Sequence, residues 1–316
     1  FRIMQTLADI GESEIIRRIT AGLESSGEVV TGPGDDCAVI RPAAGGDCDW
    51  VLTSDPVIEN RHFTRDADFA QIGHKAVART LSDIAAMGAD PAWALVNIVA
   101  PADLPIADLE ALNASMQATA SRDGMLIIGG DVSQGPELQV HVFGIGRCPT
   151  DAAVLRSGAR VGDTLYVTGE LGGSQLRKHL CFQPRVTEGQ FLRHWATAML
   201  DLSDGLATDS HHLAEQSNVG LRLNLSAIPI APDAGQLYDD HSPLYHALTD
   251  GEDFELLFCV AADRCAAFEA AWAENMTLPC CAIGDITDAA GCVVSVDADG
   301  QVKPLADKGF QHFRAR

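Results

Sequence analysis

The feature that most constrains the fold is a recurring aspartate motif. Each copy places a carboxylate beside glycine or a hydroxyl residue: Gly34-Asp35-Asp36, Thr53-Ser54-Asp55, Leu81-Ser82-Asp83, Gly129-Gly130-Asp131 and Asp201-Leu202-Ser203-Asp204-Gly205. Carboxylate and hydroxyl oxygens suit the coordination of magnesium, and glycine lets the backbone approach a phosphate closely. Carboxylates gathered in one cleft repel each other unless divalent cations lie between them. Taken together, the motifs therefore indicate a metal cluster.

Each motif taken singly also has an ordinary structural explanation. An aspartate beside glycine is a common turn former, and Ser-Asp before a helix is a common N-cap. Lys75, Arg79 and Asp83 follow each other at steps of four in a helix predicted over residues 72–87, so Asp83 could simply form an exposed ion pair with Arg79. Sequence spacing alone does not show that the motifs converge.

Apolar runs lead into two of the motifs and predict strands. The run 50–54 predicts a strand that carries Asp55 at its C-terminal end, and the run 125–128 predicts a buried strand that leads into Gly130 and Asp131. Helical spacing predicts a further long helix over residues 106–120. The two acidic sites are therefore expected at the ends of strands.

Strand and helix patterns continue to the end of the chain and predict an α/β (α+β) fold. A length of 316 residues suffices for two domains. We place the boundary in the connector near residue 150, which gives an N-terminal domain of residues 1–150 and a C-terminal α/β domain of residues 151–316. With 47% hydrophobic and 21% charged residues, the chain is not a disordered protein.

The charge balance limits the partners of the chain. The 44 acidic residues exceed the 22 basic ones and give a formal net charge of -22. The long-range field therefore repels nucleic acid, anionic lipid and free nucleotide, so any phosphate ligand must arrive with cations. An acidic surface that serves solubility alone is the alternative explanation.

The cysteines and the hydropathy pattern favour a cytoplasmic protein. The nine cysteines are odd in number and form no C-x-x-C pair, which argues against a disulfide framework or a zinc ribbon. No apolar run approaches the roughly 18 residues of a membrane-spanning helix. We therefore expect neither a membrane nor a nucleic-acid partner.

An ordered set of motifs covers nearly the whole chain, from about Gly11 to Phe313. Read in order, they are G-E-S-E-I-I, G-D-D-C-A, T-S-D-P-V-I-E-N-R-H-F, L-S-D-I-A-A-M-G-A, I-G-G-D-V-S-Q-G-P, R-S-G-A-R-V-G-D, Q-P-R-V, L-D-L-S-D-G-L, D-G-E-D-F-E-L-L-F and G-F-Q-H-F. Single pieces are weak signals, but the ordered set resembles the thiamine-monophosphate kinase family. That family shares a superfamily with aminoimidazole ribonucleotide synthetase, selenophosphate synthetase and a hydrogenase-maturation dehydratase.

The resemblance implies a fold, a reaction and a role for each matching residue. It implies a homodimer in which the N-terminal sheets pair, with ATP in the cleft between the domains, and magnesium-dependent transfer of the γ-phosphate of ATP to thiamine monophosphate. Residues at the family's magnesium positions are Asp36, Thr53, Ser54, Asp55, Asp83, Asp131, Asp201 and Asp204, of which Asp83, Asp131 and Asp204 act in catalysis through the metal. Residues at its ATP positions are Gly130, Asp131, Arg156 and Ser203. Residues at its thiamine monophosphate positions are His62, Glu252 and Phe310.

The chain departs from the family pattern in a few places. Thr53-Ser54-Asp55-Pro56 replaces S-T-D-T, Asp250-Gly251-Glu252-Asp253 replaces G-G-E-D, and the glycine usual before the histidine is absent from Asn60-Arg61-His62. The segment 172–184 is shorter than usual, which we interpret as a trimmed peripheral loop. One alternative is another ATP-using enzyme of the superfamily, although residues 1–30 lack the Cys and Lys of selenophosphate synthetase. The other alternative is a catalytically silent nucleotide-binding protein, whose mark would be lost metal ligands.

Overall fold

The computed structural model describes residues 6–9, 12–42, 46–176, 178–237, 239–307 and 309–310. The ends of the motif set, Gly11 and residues 311–313, lie outside these residues. Within them the chain forms a six-stranded sheet up to Pro149 and a seven-stranded sheet from Thr164 onward, both with helices. The predicted mixed α/β class is confirmed. The division into domains at residue 150 stays a prediction.

The first sheet has the strand order β1-β2-β3-β6-β4-β5. Neighbouring strands are antiparallel except β4 and β5, which are parallel. Its strands are β1 Val29–Thr31, β2 Ala38–Ile40, β3 Cys48–Ile58, β4 Asp90–Ala100, β5 Leu126–Gln134 and β6 Gln139–Pro149. Its helices are α1 Glu12–Thr20, α2 Phe69–Ala86 and α3 Ile106–Arg122.

The second sheet has the strand order β13-β12-β9-β11-β7-β10-β8. Its strands are β7 Thr164–Thr168, β8 Ala196–Asp201, β9 Gly220–Asn224, β10 Leu256–Val260, β11 Cys280–Thr287, β12 Val293–Val296 and β13 Val302–Pro304. The helices of this half are α4 Lys178–Cys181, α5 Val186–Leu192, α6 Leu206–Ser217, α7 Pro243–Thr249 and α8 Cys265–Asn275. Among the described helices, none combines the length and apolar character needed to cross a membrane.

The two aspartates predicted at strand ends lie inside strands instead. Strand β3 continues past Asp55 because β6 pairs with it along its whole length, from Cys48 to Ile58. Beyond Leu52 the described pairing of β3 is with β6, so one side of the strand tolerates Pro56, which lacks an N–H. Strand β5 likewise continues past Asp131, because β4 pairs with it as far as Gln134.

Helix α2 is buried on both sides because it lies between the two halves of the chain. Its side with Ile72, Leu81 and Ile84 belongs to the core cluster of the first sheet. At its C-terminal end Ala86 packs in a cluster with Tyr166 and Phe258 of the second sheet. Any polar side chain on the second side of α2 is therefore presented to the boundary between the halves.

Candidate functional site

The site lies along one face of α2, where four polar residues form what we call the α2 stripe. Lys75, Arg79, Ser82 and Asp83 occupy helical positions i, i+4, i+7 and i+8, which place them on one face. Ser82 and Lys75 contact residues of the second half, so this face meets the loops after β8 and before β10. The stripe therefore collects charges from both halves of the molecule.

Three carboxylates meet beside this stripe. Oxygen atoms of Asp36, Asp83 and Asp201 all lie within 4.8 Å of one another. The hydroxyl of Thr53 donates a hydrogen bond to Asp83, and the Ser82 hydroxyl donates to Asp201 at 2.6 Å. Three of the five aspartate motifs therefore converge, and the Thr53 motif joins them through its hydroxyl.

The charges of this carboxylate cluster are poorly compensated within the chain. Burial and the neighbouring carboxylates raise the pKa values of Asp83 and Asp201 well above the ordinary aspartate value. The Oδ2 atom of Asp36 is buried and has no hydrogen-bond partner. Three crowded carboxylates with a spare buried oxygen are the donor set that a hard divalent cation such as magnesium prefers. The cluster therefore fits magnesium.

Arg156 connects the cluster to the start of the second half. Its guanidinium donates to Asp36 Oδ1 at 2.6 Å, and its backbone N–H donates to Asp35 Oδ2 at 3.1 Å. Burial and the charge of Asp36 raise the pKa of Asp35 to about 6. Ser217, on α6, donates to the Arg156 carbonyl at 2.8 Å. Arg156 is thus held by side-chain and backbone contacts from both halves.

A second acidic group lies at the start of α6. Ligand atoms of Asp204, Asp209 and His212 lie within 4.8 Å of one another. Asp209 accepts the backbone N–H groups of Asp204 and Gly205, at 3.1 and 3.2 Å. It therefore fixes the loop that carries Ser203 and Asp204. Burial and the charge of Asp209 raise the pKa of Asp204 to about 7.

The other end of the stripe carries a compensated charge. The Lys75 ammonium is fully buried and lies 2.8 Å from Glu252 Oε1, and it donates to the His62 carbonyl at 2.8 Å. Burial lowers the pKa of Lys75 to about 8. Burial also opposes the charge of Glu252, but Lys75 and Arg79 outweigh it and hold the pKa of Glu252 below its ordinary value. Both groups are therefore charged near neutral pH.

The loop before β10 has a backbone that brings Glu252 to this position. Gly251, Glu252 and Phe254 all have positive φ, at 71°, 55° and 50°. A Cβ on Gly251 would lie 2.7 Å from the Ser203 carbonyl, so glycine is required there. The Glu252 N–H donates to the same carbonyl at 2.8 Å. The 251–254 loop and the Ser203 loop are thus joined through their backbones.

Of the predicted thiamine-side residues, the structure places His62 and Glu252 together and brings Phe310 to the neighbouring loop. His62 is buried, and its Nδ1 accepts the Ile58 N–H at 3.0 Å. The Phe310 N–H donates to the Asp204 carbonyl at 2.9 Å, so the end of the described chain lies against the α6 loop.

The structure does not bring every predicted ligand to the cluster within one chain. Ser54 is exposed and lies on the face of β3 opposite Thr53 and Asp55. Asp131 is exposed on β5, separated from β3 by β6 and β4, at about 4.8 Å per strand spacing. Next to it, Gly130 crosses Val96 so closely that a Cβ would lie 1.8 Å from the Val96 carbonyl.

The exposed ion pair considered between Arg79 and Asp83 is not the arrangement found. Arg79 instead donates to Asp55 Oδ1 at 3.3 Å, because its long side chain reaches β3 while Asp83 accepts from Thr53. Asp83 is therefore part of the cluster rather than of a solvated helix surface.

Comparison with known proteins agrees with this arrangement. Residues 34–148 match the family described as AIR synthase related protein, N-terminal domain, and residues 174–297 match AIR synthase related protein, C-terminal domain. The thiamine-monophosphate kinase of Escherichia coli K12 is 34% identical and is matched over 96% of this chain and 98% of its own length. The chain belongs to the thiamine-monophosphate kinase family. The solved structure of AaThiL complexed with AMPPCP and TMP has a TM-score of 0.85 at 28% identity, covering 98% of this chain and 99% of that one. The thiamine-monophosphate kinase from Stenotrophomonas maltophilia K279a has a TM-score of 0.75 at 32% identity, covering 93% and 96%.

The thiamine-monophosphate kinase motifs did not identify four residues that the structure places at the site. Asp209 and His212 follow the Asp204 motif on α6, and Lys75 and Arg79 precede Asp83 on α2. For Lys75 and Arg79 the available signal was their helical spacing from Asp83, and for Asp209 and His212 it was their closeness in sequence to Asp204. The metal, nucleotide and substrate roles of the predicted residues remain predictions.

Proposed function

We propose that this chain transfers the γ-phosphate of ATP to thiamine monophosphate and forms thiamine diphosphate, in the cytoplasm. The observation that carries the proposal is the crowded carboxylate cluster of Asp36, Asp83 and Asp201, in a chain that belongs to the thiamine-monophosphate kinase family. A site with this excess of negative charge binds polyphosphate only together with divalent cations.

The residues that would hold magnesium are those of the cluster and its neighbours. Asp36, Asp83 and Asp201 supply the central oxygens, Asp55 lies on the adjacent strand, and Asp204 lies in the following loop. Bound magnesium would neutralise the phosphate oxygens and the carboxylates at once. The buried, unpartnered oxygen of Asp36 supports this assignment.

The side chains would then act by orienting the two phosphates. Arg156 carries a planar guanidinium beside Asp36 and is suited to hold nucleotide phosphate oxygens in two-point contact. The chain has neither a P-loop nor a G-x-S-x-G elbow, so we infer direct in-line attack by the acceptor phosphate oxygen on the γ-phosphorus. This route predicts inversion at a chirally labelled γ-phosphorus.

The acceptor would lie at the other end of the α2 stripe. Glu252 stays ionised beside Lys75 and complements the positive charge of the thiazolium ring. His62 and Phe310 would complete the pocket, the first by hydrogen bonding and the second by packing against a ring. The acceptor phosphate would then point along α2 toward the carboxylate cluster.

We also propose that the active unit is a homodimer formed through the outer face of the first sheet. That face exposes Leu95 and Phe143, at 43% and 42%, next to a stack of Trp50 on Trp93 at 5.2 Å. A monomer would leave these apolar side chains in water. The edge strand β5 with Asp131 would lie in the interface region, so a partner subunit could bring Asp131 to the cluster.

An assay with purified protein, ATP, magnesium and thiamine monophosphate tests the function. We expect thiamine diphosphate and ADP in equal amounts, and no product without magnesium. Light scattering should give twice the 33.5 kDa chain mass. A mixture of the inactive variants Asp83→Asn and Asp131→Asn should recover activity if one site uses both chains. A fully active monomer would contradict the dimer, and absence of thiamine diphosphate would contradict the function.

A further inference from the structure

Arg79 lies where the two ends of the site meet. It is one helical turn from Lys75 and one from Asp83, its guanidinium contacts Asp55, and it lies over the Phe254 ring at 5.9 Å. Burial opposes the charge of Arg79, but nearby carboxyl groups, Asp55 first and then Glu252, outweigh it and raise the pKa of Arg79. It is therefore a cation between the carboxylate cluster and the thiamine side.

The guanidinium of Arg79 is held loosely compared with those of two other arginines that pair with carboxylates. Its two hydrogen bonds, to Asp55 and to the Pro56 carbonyl, measure 3.3 and 3.4 Å. By contrast, Arg156 donates to Asp36 at 2.6 Å and Arg185 donates to Glu255 at 2.6 Å. Charge-assisted hydrogen bonds normally measure about 2.7–2.9 Å. The hydrogen bonds of Arg79 are thus longer than those of an ordinary charge-assisted ion pair.

Arg79 also has a hydrogen-bond donor that is not used. Its Nε is buried and has no hydrogen-bond partner. An unsatisfied buried N–H is unfavourable, so such a group is expected to have a ligand in the working state. The side chain keeps 14% of its surface exposed, so part of it is accessible from outside. The available partner must be an acceptor that enters the site from outside the described residues.

We propose that Arg79 binds the phosphate group of the acceptor, thiamine monophosphate, through Nε and a terminal nitrogen. This inference rests on the proposed function. A phosphate monoester offers the paired oxygens that a guanidinium fork binds best. Arg79 is assigned to the acceptor rather than to ATP because the Phe254 ring under its guanidinium belongs to the loop that carries Glu252, whereas Arg156 lies beside Asp36. Arg79 would thus place the attacking oxygen next to the magnesium ligands.

Calorimetric binding of thiamine monophosphate and of thiamine, which lacks the phosphate, tests the assignment in the presence of magnesium. The variants are Arg79→Gln and Arg79→Lys, with Arg122→Gln as the control for loss of an exposed arginine. We expect Arg79→Gln to weaken thiamine monophosphate binding at least about tenfold and thiamine binding less than about twofold. Arg79→Lys, which keeps the charge but loses the fork, should fall between wild type and Arg79→Gln. Arg122→Gln should match wild type.

The outcomes separate the proposal from its alternatives. Equal loss of affinity for both ligands would mean that Arg79 only stabilises the fold as a counter-ion, and unchanged affinity for both would mean that it takes no part; either result overturns the proposal. If circular dichroism shows that Arg79→Gln is unfolded, Arg79→Lys decides by the same ratio of affinities. A wild-type protein that binds thiamine monophosphate but forms no diphosphate would contradict the proposed function and leave the Arg79 assignment standing on the binding ratio.

Discussion

Buried carboxylates have different partners at the two ends of the α2 stripe. At one end, Asp83 and Asp201 receive hydrogen bonds from the hydroxyls of Thr53 and Ser82. At the other end, Glu252 receives the ammonium of Lys75. The pKa values of Asp83 and Asp201 are accordingly raised, while that of Glu252 is lowered.

The difference separates a site that needs external cations from one that does not. A hydroxyl satisfies the hydrogen-bonding capacity of a carboxylate but leaves its charge, so the cluster is complete only when cations bind. An ammonium keeps the carboxylate ionised and fixes the side chain, so Glu252 is already oriented in the free protein. The first region therefore offers Asp83 and Asp201 hydroxyl donors only, whereas the second already supplies Glu252 with a cation.

Breaking the compensated end should have the largest effect on stability. Glu252→Leu leaves the fully buried Lys75 ammonium without its carboxylate, so the free energy of unfolding should fall by about 3–5 kcal/mol. Asp285→Ala, which breaks the half-exposed pair with Arg222, should cost less than about 1 kcal/mol. Urea unfolding measures both. The double variant Lys75→Met/Glu252→Leu should recover much of the loss, and an additive loss would argue against a coupled pair.

Removing one carboxylate from the cluster of Asp36, Asp83 and Asp201 should lower turnover instead. Asp83→Asn keeps the size of the side chain but removes a carboxylate that we propose as a magnesium ligand, so kcat should fall at least roughly a hundredfold. The magnesium concentration for half-maximal rate should rise. Stability without ligands should stay equal or increase, because a repulsive charge has left the cluster. Exposed Asp103→Asn is the control, and near-wild-type kinetics at low magnesium would remove Asp83 from the metal site.

The smallest expected effect tests the outer part of the thiamine side. Phe310→Ala should weaken thiamine monophosphate binding by about 1–3 kcal/mol and leave ATP binding nearly unchanged, because a ring contact of the acceptor is lost. Its backbone hydrogen bond to Asp204 does not depend on the side chain. Separate Kd values for the two ligands measure the effect. A loss confined to ATP would reverse the assignment of the two ends.

Local sequence patterns predicted much of the fold and less of the arrangement within it. Helix α2 was predicted over residues 72–87, and the structure begins it three residues earlier, at Phe69, where Asp68 caps it. Strand β4, Asp90–Ala100, was not predicted, because its nearly continuous apolar run does not distinguish a central strand from a buried helix. The ends of β3 and β5 were misplaced because pairing with neighbours, which depends on distant residues, extends both strands.

The motifs identified candidate ligands, whereas their partners depended on tertiary contacts. Ser82 and Asp201 are 119 positions apart, and Lys75 and Glu252 are 177 apart, so no local pattern could pair them. The long hydrogen bonds of Arg79 could not be predicted from the sequence either. The helical spacing indicated only a cation four residues before Asp83. The difference between the partners of Asp83 and Asp201 and the partner of Glu252 is thus a property of the folded chain.

The pH dependence of magnesium stabilisation tests the central claim, that the cluster is incomplete without cations. Because the folded-state pKa values of Asp83 and Asp201 are raised and that of Asp204 is about 7, the folded metal-free chain binds more protons than the unfolded chain from about pH 4 to 7. The stability contributed by these groups is therefore lost as the pH rises through that window. Magnesium binds the deprotonated carboxylates, so its benefit should grow over the same range.

Thermal unfolding with and without saturating magnesium, at pH 5.5 and pH 8, provides the measurement. We expect magnesium to raise the Tm by roughly 5 °C at pH 8 and by much less at pH 5.5. The double variant Asp83→Asn/Asp201→Asn should lose most of the rise at pH 8. An equal rise in the double variant and the wild type, or a rise that does not depend on pH, would contradict the account.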